Sequence, residues 1–275
     1  MKKKLIAMLL SAAMCLSLAA CGQKADTPDT TDPAEPSGDA ATYTVGICQL
    51  VQHEALDAAT QGFIDALNEA LPGQVKIEEK NASGDSNSCA TIVNGFVSEG
   101  VDLIMANATA ALQAAASATS DIPVLGTSIT AYGVALDIDD FSGTVGGNVS
   151  GTSDLADLSK QADMITEWFP ETQKVGLLFC SGEPNSRYQI EEVAKNLSAK
   201  GIETKEFAFT DSNDVASVTQ SAADYADVVY LPTDNTAASN TEAIANILVP
   251  AGVPAICGEE GICSGCGVAT LSQLL

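Results

Sequence analysis

From Tyr43 onward, short apolar runs of strand length alternate with longer amphipathic stretches of helix length, and the whole series occurs twice. Residues 45–50, 75–81, 101–107 and 122–128 read as strands, separated by helical patterns over 55–70, 86–98 and 109–119. The order returns with strands at 175–181, 203–209, 227–233 and 253–257 and helices at 186–199, 214–224 and 236–248. Corresponding intervals agree to within a few residues. The register is echoed locally by Val45-Gly46-Ile47 with Val175-Gly176-Leu177, and by Ile122-Pro123-Val124 with Val253-Pro254-Ala255. A strand that returns parallel to its neighbour needs a crossover helix, so this alternation predicts parallel sheets covered by helices. The fold class expected is α/β, with two Rossmann-like lobes. A Gly/Ser/Thr-rich stretch, 141–157, would cross from lobe 1 (43–149) to lobe 2 (150–275), with a helix over 158–169 entering the second lobe. In open α/β sheets ligands sit beyond the carboxyl ends of the strands, and two lobes can face those ends across a cleft.

The segment ahead of this body is of another kind. Lys2, Lys3 and Lys4 precede an uncharged apolar run from Leu5 to Leu18, too short and wrongly flanked for a stable spanning helix. It reads as an export signal over 1–20. Leu18-Ala19-Ala20-Cys21 resembles the lipobox of bacterial lipoproteins, which makes Cys21 the expected lipidation site. Residues 21–42 are polar and rich in Thr, Asp, Pro and Gly. They cannot bury enough surface to offset their ordering entropy, so a flexible tether is expected. The localisation predicted is outside the cytoplasmic membrane, held to its outer face by lipid alone.

Charge and histidine content narrow the function. With 36 acidic against 12 basic residues the formal charge is −24, which repels nucleic acid and anionic membrane surfaces. A single histidine, His53, excludes multi-histidine metal sites. The glycines of Gly143-Thr144-Val145-Gly146-Gly147 lack a P-loop lysine, and no Gly-x-Ser-x-Gly elbow is present. Neither enzyme type is indicated, and no cofactor or metal is expected. Of the cysteines in the body, Cys48, Cys180 and Cys257 end strand-like runs as small buried thiols would. Cys263-Ser264-Gly265-Cys266 has redox-motif spacing, but extended residues are expected after it rather than the helix that would activate its first thiol. With Cys257 the group offers three thiolates, one short of a closed zinc site. Packing, a disulfide and metal binding are the readings open for it, in that order.

Several strings carry a more specific likeness: Gly46-Ile47-Cys48-Gln49-Leu50-Val51-Gln52-His53-Glu54-Ala55-Leu56-Asp57, the 101–113 segment, Asn148-Val149-Ser150-Gly151-Thr152-Ser153-Asp154, Pro232-Thr233-Asp234-Asn235-Thr236 and Gly258-Glu259-Glu260-Gly261. Together with the lipobox they resemble the substrate-binding lipoproteins of ABC importers, of the type I periplasmic-binding fold, including aromatic-amino-acid binders. The likeness runs from about Tyr43 to Thr270. The chain departs from the family pattern at Ala110, at Ala131-Tyr132 and at Glu259. The resemblance implies a binding protein without covalent chemistry. It would be a monomer that captures a small solute, an amino acid and in particular an aromatic one, and delivers it to a membrane permease. A sensor that reports occupancy to a receptor is the alternative. The resemblance also implies a second return to lobe 1 after Ser272, where this chain stops at Leu275, so a shortened product is expected.

For such a ligand, hydroxyls and backbone N–H groups at helix N-termini would hold the carboxylate, and acids and amides the ammonium. Thr109, at the start of a helix after the third strand, is the first candidate, with Ser86, Asn87, Ser128 and Thr130 beside it. Asp234, Asn235, Glu259 and Glu260 follow strands of lobe 2 and are candidates for the ammonium. Gln49 and Asn185 also follow strands, Asn107 ends one, His53 would line the cleft mouth, and Tyr132 and Tyr188 could stack on an aromatic ligand. Trp168 is expected to pack.

Overall fold

A computed structural model describes residues 42–272. The expected signal, Cys21, the tether through 41 and residues 273–275 lie outside the described residues.

Lobe one is a five-stranded parallel sheet, ordered β2-β1-β3-β4-β5. Its strands are β1 (Tyr43–Gln49), β2 (Val75–Asn81), β3 (Leu103–Asn107), β4 (Val124–Ile129) and β5 (Val149–Ser153). Lobe two repeats the arrangement with β6 (Lys174–Cys180), β7 (Glu203–Phe209), β8 (Val228–Leu231), β9 (Ala255–Cys257) and β10 (Ala269–Thr270), ordered β10-β9-β8-β6-β7. Read from its other side, that order matches lobe one strand for strand. The duplicated α/β fold and its parallel sheets are as the alternation predicts.

Helices close the crossovers. In lobe one they are α1 (Glu54–Ala70), α2 (Ser86–Glu99), α3 (Thr109–Ala118) and the short α4 (Tyr132–Ala135); α5 (Leu158–Trp168) leads into lobe two, which holds α6 (Pro184–Ala199), α7 (Val215–Ala223), α8 (Asn235–Ala238), α9 (Thr241–Ala251) and α10 (Glu260–Cys266). Local chemistry sets several ends. Asp85 caps α2 by accepting from the Ser88 N–H at 2.7 Å, and Gly100 ends that helix in the left-handed region. Asp157 caps α5 through the Lys160 N–H.

Apolar side chains pack on both faces of sheet two, one cluster around Leu178, Phe209 and Leu248 and another around Phe179, Ile190 and Tyr230. Sheet one is covered unequally. Its α2/α3 face holds a large core that includes Phe96, Ile104 and Leu112, whereas the apolar cluster on the α1 face has just Val45, Ile47 and Met105 as its buried members.

Four features depart from expectation. The supposed crossover stretch contains β5, so the lobe boundary expected between 149 and 150 falls inside a strand of sheet one, and the chain passes to lobe two between Ser153 and Leu158. The helix expected over 236–248 is two helices, because Asn240 turns its Nδ2 onto the Thr236 carbonyl at 2.7 Å and interrupts the ladder. Residues 260–266 form a helix, α10, that contains the paired cysteines, while the residues after it are extended into β10 as expected. Tyr132 belongs to the lobe-one core and donates to the Gly126 carbonyl at 3.0 Å, so it is not free to stack on a ligand.

Candidate functional site

The carboxyl ends of both sheets open on one cavity of about 880 Å³, within the size range of small-molecule sites. Lobe one contributes Leu56, Ala59, Phe63, Met105 and Leu125 as an apolar end, and Thr127, Ser128, Thr130, Ser150, Thr152 and Asp154 as a polar one. Lobe two contributes Asn185, Thr233, Asp234, Asn235, Glu259 and Glu260.

The polar end is built by an irregularity in the sheet. Gly126 pairs with Gly151 and Ile129 with Ser153, so Thr127 and Ser128 together oppose Thr152 alone. Such a bulge bends the strand and re-aims its side chains. Ser128 is held at φ 57°, a conformation that a non-glycine residue adopts at a cost and that clusters at functional sites. Its hydroxyl is buried without a partner.

Asp154 follows β5 and is tied by its backbone N–H to the Ile129 carbonyl at 3.2 Å. Its Oδ1 is likewise buried and unpartnered. Loss of solvent pushes the Asp154 carboxyl up to about 6 against the pull of hydrogen bonds from the Thr130 side chain and its own backbone, and the nearby Glu259 carboxylate adds to the rise. Two unsatisfied polar atoms at one end of a cavity are what a ligand's own polar groups would complete. Sequence reasoning did not single out Asp154 or the bulge hydroxyl of Thr127; the strand that aims Asp154 carries no apolar pattern.

The lobe-two carboxylates are largely satisfied by their own lobe. Asp234 caps α8, accepting from Ala237 N–H at 2.7 Å and from Cys180 N–H at 2.7 Å; burial first, then the neighbouring Glu183 charge, push its carboxyl upward. Glu183 accepts from Asn235 N–H at 3.0 Å, Asn235 Nδ2 at 2.7 Å, and Thr236 N–H and Oγ1 at 2.8 Å each. Glu259 caps α10 through the N–H groups of Gly261 and Ile262. Glu260 lines the cavity and is exposed. Asn185 donates to the Thr233 carbonyl at 3.0 Å and holds that wall in place.

Six expected residues lie elsewhere. Gln49 donates from Nε2 to Val51 O and Asp57 Oδ1 and accepts from Thr60 Oγ1, so it braces the start of α1 beside a separate shallow cleft. Ser86 and Asn87 are exposed on the first turn of α2, outside the cavity lining, since Asp85 already caps that helix. Thr109 is 3% exposed and buried within lobe one, away from the lining. Asn107 points into α1, donating to Leu56 O at 2.8 Å and Thr60 Oγ1 at 2.9 Å. Tyr188 packs against the lobe-two core. Ser128, Thr130, Asn185, Asp234, Asn235, Glu259 and Glu260 are brought together as expected. Trp168 does not pack but is 56% exposed on the far side of lobe two.

His53 lines the cavity and reaches across it. Its Nε2 lies 3.2 Å from Asn235 Oδ1, and because Asn235 Nδ2 already serves Glu183, the imidazole nitrogen must be the donor. This is the one hydrogen bond that joins the lobes among the described residues. His53→Ala is therefore expected to weaken solute affinity about three- to tenfold, mainly through faster dissociation, with little loss of stability; stopped-flow dissociation kinetics checks it.

The family described as ABC transporter substrate binding protein matches residues 44–273. A tyrosine-binding protein of Clostridioides difficile (strain R20291) is 31% identical, over 97% of this chain and 79% of the relative. A Streptococcus pneumoniae ABC domain in complex with L-Trp superposes with a TM-score of 0.79 at 31% identity, covering 84% of this chain and 79% of that one. A ligand-free, open substrate-binding protein with adhesive properties from C. difficile, at 33% identity, covers 80% and 76% and reaches a TM-score of 0.56.

Proposed function

The chain belongs to the family of ABC transporter substrate-binding proteins, and from that premise we propose that it captures an amino acid with a large apolar or aromatic side chain between its lobes. It is a binding protein and not an enzyme. The observation that carries the ligand class is the pair of buried, unpartnered atoms, Asp154 Oδ1 and Ser128 Oγ, at the polar end of a cavity whose other end is Phe63, Met105 and Leu125. An ammonium completes the carboxylate, the bulge hydroxyls accommodate the ligand's carboxylate, and the apolar end receives its side chain. The L-Trp and tyrosine named for similar proteins support this reading. The higher TM-score against the L-Trp complex than against the open relative at similar identity supports a closed arrangement here.

Family members of ABC importers work outside the cytoplasmic membrane. The lysines, apolar run and Leu18-Ala19-Ala20-Cys21 support export and a lipid anchor at Cys21, and membership of the family supports delivery to a permease. We take the protein to act as a monomer.

Calorimetry with L-tyrosine, L-tryptophan and L-leucine, against tyramine and 3-(4-hydroxyphenyl)propionate, tests the reading. Intact amino acids are expected to bind and both analogues to lose most affinity; equal binding of the analogue without an amine overturns the role of Asp154. At a hundred times its dissociation constant a ligand adds about 2.7 kcal/mol, a rise in Tm of roughly 5–10 °C for a body of this size.

The pH dependence has a definite sign. The ligand's ammonium needs Asp154 ionised, and in the free protein that group takes up a proton as pH falls through about 6. Affinity is therefore expected to be level above pH 7 and to fall by about tenfold per pH unit below 6. Glu259, Glu260 and His53 face the same space, so the profile of Asp154→Asn identifies which part belongs to Asp154.

A further inference from the structure

Cys257, Cys263 and Cys266 pack in one cluster behind the lobe-two wall of the cavity. Cys257 ends β9 and is wholly buried. Cys263 and Cys266, on α10, pack against the buried cluster that holds Cys257, and both are partly exposed. Gly267 marks how closely the two elements approach: a Cβ there would stand 2.4 Å from Cys257 Sγ and 3.0 Å from Cys263 Cα. The arrangement is absent from the solute site, since none of the three cysteines lines the cavity, yet Gly258, Glu259, Glu260, Gly261 and Ser264 between and beside them do.

We propose that Cys257 and Cys263 are a thiol–disulfide exchange site, oxidised by low-molecular-weight or protein disulfides, whose closed form clamps α10 to β9. The Cys263 thiolate attacks one sulfur of the incoming disulfide and releases one thiol. Cys257 then gives up its proton and displaces the second thiol from Cys263. Two cysteine thiols are oxidised by two electrons to one disulfide, one external disulfide is reduced to two thiols, and both cysteine protons end on those thiols. Thiolate is available on the accessible partner: the hydrogen bond from Cys257 holds the Cys263 thiol down to about 7, against desolvation and the charges of Glu259 and Glu260. An extracytoplasmic compartment lets such a bond persist. The proposal does not rest on the identity of the solute.

The experiment incubates the reduced full-length protein with oxidised glutathione, alkylates remaining thiols under native conditions and digests with a Glu-specific protease. Cleavage after Glu259 and Glu260 separates Cys257 from Cys263, so a bond between them appears as linked peptides. The result expected is a Cys257–Cys263 linkage. Cys263→Ala should slow thiol loss from this segment by about tenfold or more, and Cys257→Ala should stop the reaction at a glutathione adduct on Cys263. If Cys257→Ala does not fold, Cys263→Ala, at a partly exposed position, carries the test. Three thiols still free at equilibrium, a Cys263–Cys266 bond instead, or oxidation only in parallel with the buried Cys48, Cys89 and Cys180 would each overturn the proposal.

Discussion

Asp154→Asn is expected to lower affinity for L-tyrosine or L-tryptophan by about a hundredfold, close to 2.7 kcal/mol, at pH 7.5. The substitution keeps the shape of the side chain and removes the charge that would face the ligand's ammonium. It is not expected to harm the empty protein. Burial already disfavours the ionised form of this carboxyl, as its rise to about 6 shows, so a neutral amide relieves a cost that exists above that pH. A Tm equal to or above that of the wild type, together with the loss of affinity, is the signature. Calorimetry at pH 7.5 and again at pH 5 checks it, because protonation of Asp154 in the wild type should narrow the gap to about tenfold at the lower pH. A loss smaller than about threefold would mean that the ammonium sits elsewhere, with Glu260 the next group to test.

Gly151→Ala is expected to destabilise the protein by about 3 kcal/mol or more and to abolish solute binding. Gly151 has φ 151°, and a Cβ on it would meet Gly126 O at 2.0 Å, Tyr132 Oη at 2.2 Å and Gly126 N at 2.7 Å. Two of those atoms are backbone and cannot rotate away. Relief requires β5 to separate from β4, which carries Ser150, Thr152 and Asp154 out of the cavity wall. A fall in Tm of roughly 6–12 °C is anticipated for a body of this size. Gly95→Ala is the companion control. That position lies inside α2 with nothing within 4 Å of the added carbon, so it should gain about 0.5–1 kcal/mol from helix propensity alone. If both variants melt alike, the close packing at Gly151 is not what holds the strand.

Legibility in the sequence followed burial. Strands buried on both faces, such as β3 and β8, are continuous apolar runs and are visible as such. β5 is Val-Ser-Gly-Thr-Ser at a sheet edge beside the cavity, and its hydroxyls serve the site rather than a core, so no periodicity announces it. With β5 unseen, the carboxylate that follows it had no position. The bulge at Thr127–Ser128 depends on pairing between strands distant in sequence and leaves no local mark. Position after a strand also could not tell a ligand group from a cap. Asp234 and Glu259 stand where an ammonium would be met, yet their oxygens are already engaged by α8 and α10, whereas Asp154 keeps one oxygen free. At the start of α3, Ala108 takes φ 88° and Thr109 turns inward, which a residue list does not reveal.

The hydrogen bond between His53 and Asn235, the one that joins the lobes among the described residues, has a kinetic meaning. With so little direct bonding across the mouth, separation of the lobes meets a low barrier, and the solute itself supplies much of what keeps them together. If a fraction f of empty molecules is already closed, apparent affinity is diluted by that fraction. A variant with a second cross-mouth contact would bind more tightly while surrendering its cargo more slowly. The bareness of that seam sets how long each molecule waits before its solute can be handed on.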